Sequence, residues 1–225
     1  MPINSHNPFK GRHYPGDVIV LCVRWYLRYP LSYEVDASCI WRWVQAYAPE
    51  LNKRCRPHLK PTNKSYRIDE TYQCKRRGQV SVSSAGFHRE TIDLLLTAKR
   101  DTAAAKRFLR RAIDASGNPM PRVMNVDKNP AYPAAVEALK ADGAIPRRVA
   151  LRQCKYLNNV IEQDHRTVKK RVWLAKGDGS FQSAWRTLQG IETVNMIRKG
   201  RVRWLAKGDA VGQAHFISEL FGLAT

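Results

Sequence analysis

The sequence predicts an α/β protein in which a small all-helical region precedes a mixed α/β domain. Three observations predict it. Apolar residues recur at helical spacing between residues 17 and 48. A basic stretch containing Pro49, Pro57 and Pro61 follows. Beyond residue 65, short alternating runs interleave with helical ones.

Asp17 to Tyr29 has the spacing of a helix, with Ile19, Cys22, Val23 and Tyr26 at i, i+3, i+4 and i+7, Asp17 as its cap and Pro30 at its end. A second helix is expected from Ala37 to Ala48, opened by Asp36 or Ser38 and stopped by Pro49. Its apolar stripe is Ile40, Trp43, Val44 and Tyr47, and its other face carries Trp41, Arg42 and Gln45. Such a pair resembles a helix-turn-helix, whose second helix reads DNA, so Arg42 and Gln45 are the expected base-edge contacts. Residues 1–48 therefore form one expected region and 49–64 a basic, proline-containing linker.

Strands are expected at Ser65–Cys74, Thr91–Thr97 and Pro121–Val126. Val80–Ala85 alternates like a strand but carries little apolar weight. Helices are expected at Asp101–Ala115, Pro130–Ala141, Asn158–Lys170 and Ser180–Lys199. The octapeptide Arg-Val-Trp-Leu-Ala-Lys-Gly-Asp ending at Asp178 recurs, with one extra Arg, ending at Asp209, too short a repeat for a solenoid unit.

With 39 Lys and Arg against 19 Asp and Glu, the 225-residue chain has a net charge of +20, which asks for a polyanionic partner. The excess is spread, +6, +6 and +8 over residues 1–65, 66–130 and 131–225, as on a basic folded surface rather than a basic tail. The longest unbroken apolar run, Val18 to Val23, is six residues where a membrane span needs about 20. The polar first 16 residues have no apolar signal core, so a cytoplasmic protein with nucleic acid as its partner is expected. Five cysteines without a C-x-x-C pair argue for reduced, structural thiols rather than disulfides or a zinc finger.

Three carboxylates could meet in such a fold: Asp69 inside the first strand, Asp127 at the end of the third, and Glu162 near the start of a helix, separated by 57 and 34 residues. Strand alternation sets Asp69 opposite Ile68 and Glu70, and Asp127 lies at a strand's carboxyl end, where open α/β sheets place ligands. Hard oxygen ligands suit magnesium or manganese, and two such ions about 4 Å apart stabilise the attacking and leaving oxygens of a phosphoryl displacement. His165, Arg166 and Lys169 share a helix face with Glu162 and would meet phosphates, as would Lys128 beside Asp127. Asn158 and Asn159 are sufficient as caps, and spacing alone leaves Asp93 and Asp164 as rival ligands.

These residues resemble those of the bacterial insertion-sequence transposases of family six, which carry a DDE catalytic domain of the ribonuclease H type. Arg67-Ile-Asp-Glu-Thr-Tyr72 is similar to the first catalytic block, Thr97-Ala-Lys-Arg-Asp101 to a following landmark, and Asn125-Val-Asp-Lys-Asn-Pro-Ala-Tyr-Pro133 to the second block. The stretch from Leu151 to Arg166 is similar to the third, and Ser183–Gly190, Met196–Gly200, Phe9–Arg12 and Trp41–Pro49 also fit. The resemblance implies a ribonuclease H-like mixed sheet in a catalytic domain over 65–202, followed by a tail over 203–225. It implies Asp69, Asp127 and Glu162 as catalytic residues and ligands of two magnesium or manganese ions. It further implies cleavage at terminal inverted repeats, strand transfer into target DNA, a homodimer or larger assembly, and a bacterial, nucleoid-associated location.

The chain departs from the family twice. Between Tyr33 and Ile40 it is short by about one helix, so the amino-terminal module looks shortened and Ile40, Trp43 and Tyr47 are expected to find less apolar surface. Val80–His88 is Ser-rich where the family has an aromatic-rich strand, as a local frame shift would leave. Two other readings share the charge: a catalytically silent DNA-binding relic or regulator, and a ribonuclease H-like nuclease without strand transfer.

Overall fold

The computed structural model describes residues 8–28, 37–61, 64–74, 79–86, 90–97, 101–114, 119–126, 128–154 and 180–223; at 37, 67 and 69–97 it describes the backbone alone. The described chain forms two compact units, residues 61–177 and a second made of 1–60 together with 178–225.

The helical unit is built from α1 (Gly16–Arg28), α2 (Ala37–Cys55), α5 (Phe181–Arg198) and α6 (Ala210–Leu220). α1 buries Ile19, Val20, Val23 and Leu27. Its expected stripe is thus rotated slightly, with Cys22 and Tyr26 only half-buried. α2 buries all four expected residues, Ile40, Trp43, Val44 and Tyr47, and then Ala48, Leu51 and Cys55. The expectation that Ile40, Trp43 and Tyr47 lack apolar cover is therefore corrected, because α2 packs on both α1 and α5.

Pro49 does not stop this helix, which runs on through the segment expected to be a linker. An interior proline costs about 3 kcal/mol by removing one hydrogen bond and crowding the carbonyl four residues back. Packing offsets it. Leu51 and Cys55 are buried, and burying a leucine alone contributes about 1.5–3 kcal/mol. Asn52 Nδ2 donates to Thr193 Oγ1 at 2.8 Å, and Arg54 Nη1 donates to the Leu220 carbonyl at 2.8 Å while its guanidinium sits over the Phe221 ring. A 3₁₀ turn at Arg56–His58 and an antiparallel bridge between Leu59 and Val202 follow.

α5 was expected to belong with the sheet, yet it is the central helix of the helical unit. It is buried on nearly every side, through Ala184, Leu188, Ile191, Val194, Met196 and Ile197 among others, as an enclosed helix must be. Ser180 caps it in a reciprocal capping box with Ser183. The expected tail over 203–225 also contains a helix, α6, whose first turn is held by Asp209 accepting from the Gly212 N–H at 2.8 Å. Phe216, Ile217 and Leu220 fix its inner face.

Among the described residues the other unit holds a five-stranded sheet of order β3-β2-β1-β4-β5. The strands are β1 (Ser65–Cys74), β2 (Gln79–Gly86), β3 (Glu90–Thr97), β4 (Val123–Val126) and β5 (Ala150–Gln153), with α3 (Thr102–Asp114) and α4 (Ala131–Ala141) between them. β1, β2 and β3 pair antiparallel, whereas β1, β4 and β5 pair parallel. This mixed arrangement is the ribonuclease H-like one that the resemblance implied. The Ser-rich β2 is a full strand paired on both sides, because ladder hydrogen bonds come from the backbone whatever the side chains are. β5 escaped sequence reading because its four residues, Ala-Leu-Arg-Gln, lack an apolar alternation, as suits an edge. Tyr66, Ile68, Met124 and Val126 meet Phe108, Leu109 and Ala112 of α3 and Tyr132, Val136 and Leu139 of α4 in one core. The expected helix over 158–170 and the shortened segment after Tyr33 lie outside the described residues.

Candidate active site and DNA interface

Asp69 sits within β1, its backbone opposite Ser83 of β2. β1 bulges one step further on, between Glu70 and Tyr72. In the parallel ladder Tyr66 pairs with Met124 and Arg67 with Asn125, a constant offset of 58 positions. Asn125 is buried and its Nδ2 donates to the Tyr66 carbonyl at 3.4 Å, a second tie between the two strands. β4 ends at Val126, directly before position 127. Lys128 is exposed, and Asn129 Oδ1 accepts from the Ala131 N–H at 3.0 Å to start α4. The rival Asp93 lies in β3 opposite Ser84. Asp127, Glu162, His165, Arg166, Lys169 and the rival Asp164 all lie outside the described residues. Among the described residues no three His, Cys, Asp or Glu side chains could hold a metal ion together.

In the helical unit the two expected base-reading residues part company. Arg42 is exposed, its Nε donating to the Ser38 carbonyl one turn earlier. Gln45 is buried at 9 % exposure and its Nε2 donates to Thr187 Oγ1 of α5 at 2.9 Å. That contact corrects the expectation that Gln45 faces DNA: α2 is covered on two sides, so the face left to solvent is narrower than a two-helix module would leave. Sequence reading missed the neighbours of Arg42. Gly11, Arg12, His13, Tyr14, Cys39, Trp43 and Ala46 complete with it a groove of about 340 Å³. Gly11 turns the chain there at φ +78°, a left-handed conformation that disfavours a side chain. Tyr14 stacks edge-on to Trp43 and His13 edge-on to Tyr14. The signal available was Phe9–Arg12, a small basic turn ahead of a helix.

Among the described residues three titratable groups are clearly shifted by their surroundings, and partial burial raises the first of them, the Cys22 thiol. Burial pushes the Cys55 thiol up to about 12, against a small opposing pull from Arg56. A hydrogen bond from Lys106, with the charges of Lys106 and Arg110, holds Asp142 below the usual carboxylate range. Cys22, Cys39, Cys55 and Cys154 are free thiols, as expected.

A family model described as a DDE domain matches residues 63–201. The transposase for insertion sequence-like element IS431mec of Staphylococcus aureus strain Mu50 is 35% identical over 218 residues, covering 88% of this chain and 92% of that protein. The chain belongs to this family of DDE transposases. The same identity and coverage hold for the transposase of insertion sequence element IS257 in transposon Tn4003 of Staphylococcus aureus. The HTLV-2 integrase catalytic core domain, solved with magnesium in a dimeric form, is 14% identical, with a TM-score of 0.43 over 66% of this chain and 97% of that one. As an insertion-sequence transposase the chain is a polynucleotidyl-transfer enzyme acting on DNA, and the DDE domain is a class that works with divalent metal. The family's matched region spans the sheet unit from residue 63 onward and also α5, which belongs to the helical unit. Among the described residues no helix is long and apolar enough to cross a membrane.

Proposed function

We propose that Asp69, Asp127 and Glu162 form the metal-binding triad of this transposase, which cuts DNA at its element's ends and joins the freed 3′-hydroxyl to target DNA. The observation that carries the reading is the β1–β4 register. Its offset of 58 is also the separation of Asp69 from Asp127, so a ladder continued by two residues beyond the described pairs would bring positions 69 and 127 next to each other. Ile68 and Val126 belong to the core beneath α3 and α4, and the two-residue period of a strand, if it continues past Val126, would give positions 69 and 127 the opposite face.

The donor set fits the metal: three carboxylates and no nitrogen or sulfur is the chemistry of magnesium or manganese. Asp69, Asp127 and Glu162 would hold two ions, which supply neutralising charge to the attacking and leaving oxygens of the phosphodiester. The protein's own task is to orient DNA. Lys128, next to Asp127, and His165, Arg166 and Lys169, on the helix face expected to carry Glu162, would bind phosphates and set the scissile strand in register. Arg42 with Arg12 and His13 would do the same for the element's end at the groove of the helical unit. A homodimer or larger assembly on paired ends, and association with the bacterial nucleoid, belong to the same reading.

The test is magnesium-dependent cleavage of duplexes bearing the terminal repeats. The wild-type chain cleaves, whereas Asp127→Asn binds the same duplex with unchanged affinity and does not cut. Cleavage by that variant at the wild-type rate overturns the triad assignment. Binding without cleavage by the wild type favours the silent DNA-binding regulator, and cleavage without joining the ribonuclease H-like nuclease.

A further inference from the structure

α3 buries Ala104, Ala105, Phe108, Leu109 and Ala112 on one face against the sheet, so its other face is set by the same helical period. That face carries Lys106, Arg107, Arg110 and Arg111, with Asp114 at its carboxyl end. Lys106 to Arg110 and Arg107 to Arg111 are like charges at i, i+4, a spacing at which they repel and weaken a helix. The helix forms because its buried face is strong, and on the opposite face Arg107, Arg110 and Arg111 are exposed.

Lys106 is held in check by an ion pair. Lys106 Nζ lies 2.7 Å from Asp142 Oδ2, just past the end of α4, and Arg110 adds its field to the same carboxylate. We infer that the exposed face of α3 is a sequence-independent binding surface for the phosphate backbone of duplex DNA, with Asp142 as an internal competitor that limits its strength. The inference rests on the reading of the chain as a DNA transposase and extends it to a surface outside the triad, the Glu162 helix and the groove beside Arg42. A run of cations over about 1.5 turns matches phosphates better than a protein partner, since Lys106, Arg107, Arg110 and Arg111 leave no apolar centre between them.

The linkage makes a gain-of-binding test possible. Asp142→Asn releases Lys106 to the phosphates, so binding to a random-sequence duplex should tighten and the slope of log affinity against log salt should steepen by about one. Arg107→Gln/Arg110→Gln, which keeps helix-forming side chains, should flatten the slope by about two. Both are measured by fluorescence anisotropy on the full chain without divalent metal, so cleavage does not enter. A misfolded variant cannot produce the tightening expected of Asp142→Asn. An unchanged slope in both variants, with normal wild-type binding, overturns the α3 surface and leaves the triad reading intact; absence of wild-type DNA binding instead overturns the DNA reading beneath it.

Discussion

Gly190 lies in the middle of α5, and replacing it with alanine tests whether α5 packs where the structure puts it. A Cβ there would fall 2.6 Å from the Cβ of Ala48 on α2 and 2.8 and 2.9 Å from the two δ-methyls of Leu27 on α1. Carbon atoms in contact prefer about 3.5–4.0 Å, so something must move. Neither neighbour can yield easily, since Ala48 has no torsion to turn and Leu27 is 2% exposed. In a solvated helix Gly→Ala would stabilise by about 0.8–1.0 kcal/mol. Overpacking costs about 1–3 kcal/mol, so the expected net effect is a loss of about 1 kcal/mol, measured as a lower urea midpoint with unchanged slope. Ala48→Gly removes the nearest contact, and in the double variant the loss from Gly190→Ala should shrink, a favourable coupling of about 1 kcal/mol. A Gly190→Ala variant more stable than wild type by about 1 kcal/mol would refute the packing of α5 on α1 and α2.

Three further outcomes follow from single contacts. Gln45→Ala should lower stability by about 1–2 kcal/mol, because it removes a buried hydrogen bond to Thr187, while leaving the affinity ratio for terminal-repeat over random duplex unchanged. The buried Cys55 thiol keeps its proton to about pH 12 in the folded chain but only to about 9 unfolded, so the folded state holds more protons between those values and stability falls as pH rises through them. Denaturation at pH 9.0 and 10.5 should show a loss of roughly 1.5 kcal/mol that Cys55→Ala lacks. If about six phosphates are neutralised, log affinity for DNA should fall with log salt at a slope near −5, and Lys169→Ala should flatten it by about one. Salt-independent binding would contradict the electrostatic reading.

The elements with strong periodicity were legible from residues alone. Ile40, Trp43, Val44 and Tyr47 mark the buried stripe of α2, and β1 runs from Ser65 to Cys74 as its alternation says. What escaped was decided by tertiary packing. Pro49 reads as a stop because local sequence cannot show that Leu51 and Cys55 will find α5, α6 and their neighbours to bury against. Gln45 reads as an exposed DNA contact because its partner, Thr187, is 142 residues away. The same distance hid the membership of α5, whose all-round burial fits either unit by composition. β5 is too short and too polar to announce itself, and α6 carries only three inner apolar residues behind Asp209. For the site, residue type and spacing bring Asp69 and Asp127 to notice, and the β1–β4 register, with the same offset of 58, supports the proposal that pairs them.

The most direct test of the triad is a change of metal preference at one of its ligands. Asp127→Cys puts a softer thiolate where a carboxylate stood, and magnesium binds thiolate poorly whereas manganese accepts it better. Cleavage of terminal-repeat duplex by this variant should be lost in magnesium and partly restored in manganese, while the wild type cuts in both. Equal cleavage by the variant in magnesium and manganese would contradict metal ligation by Asp127 and, with it, the assignment of Asp69, Asp127 and Glu162 as the catalytic centre.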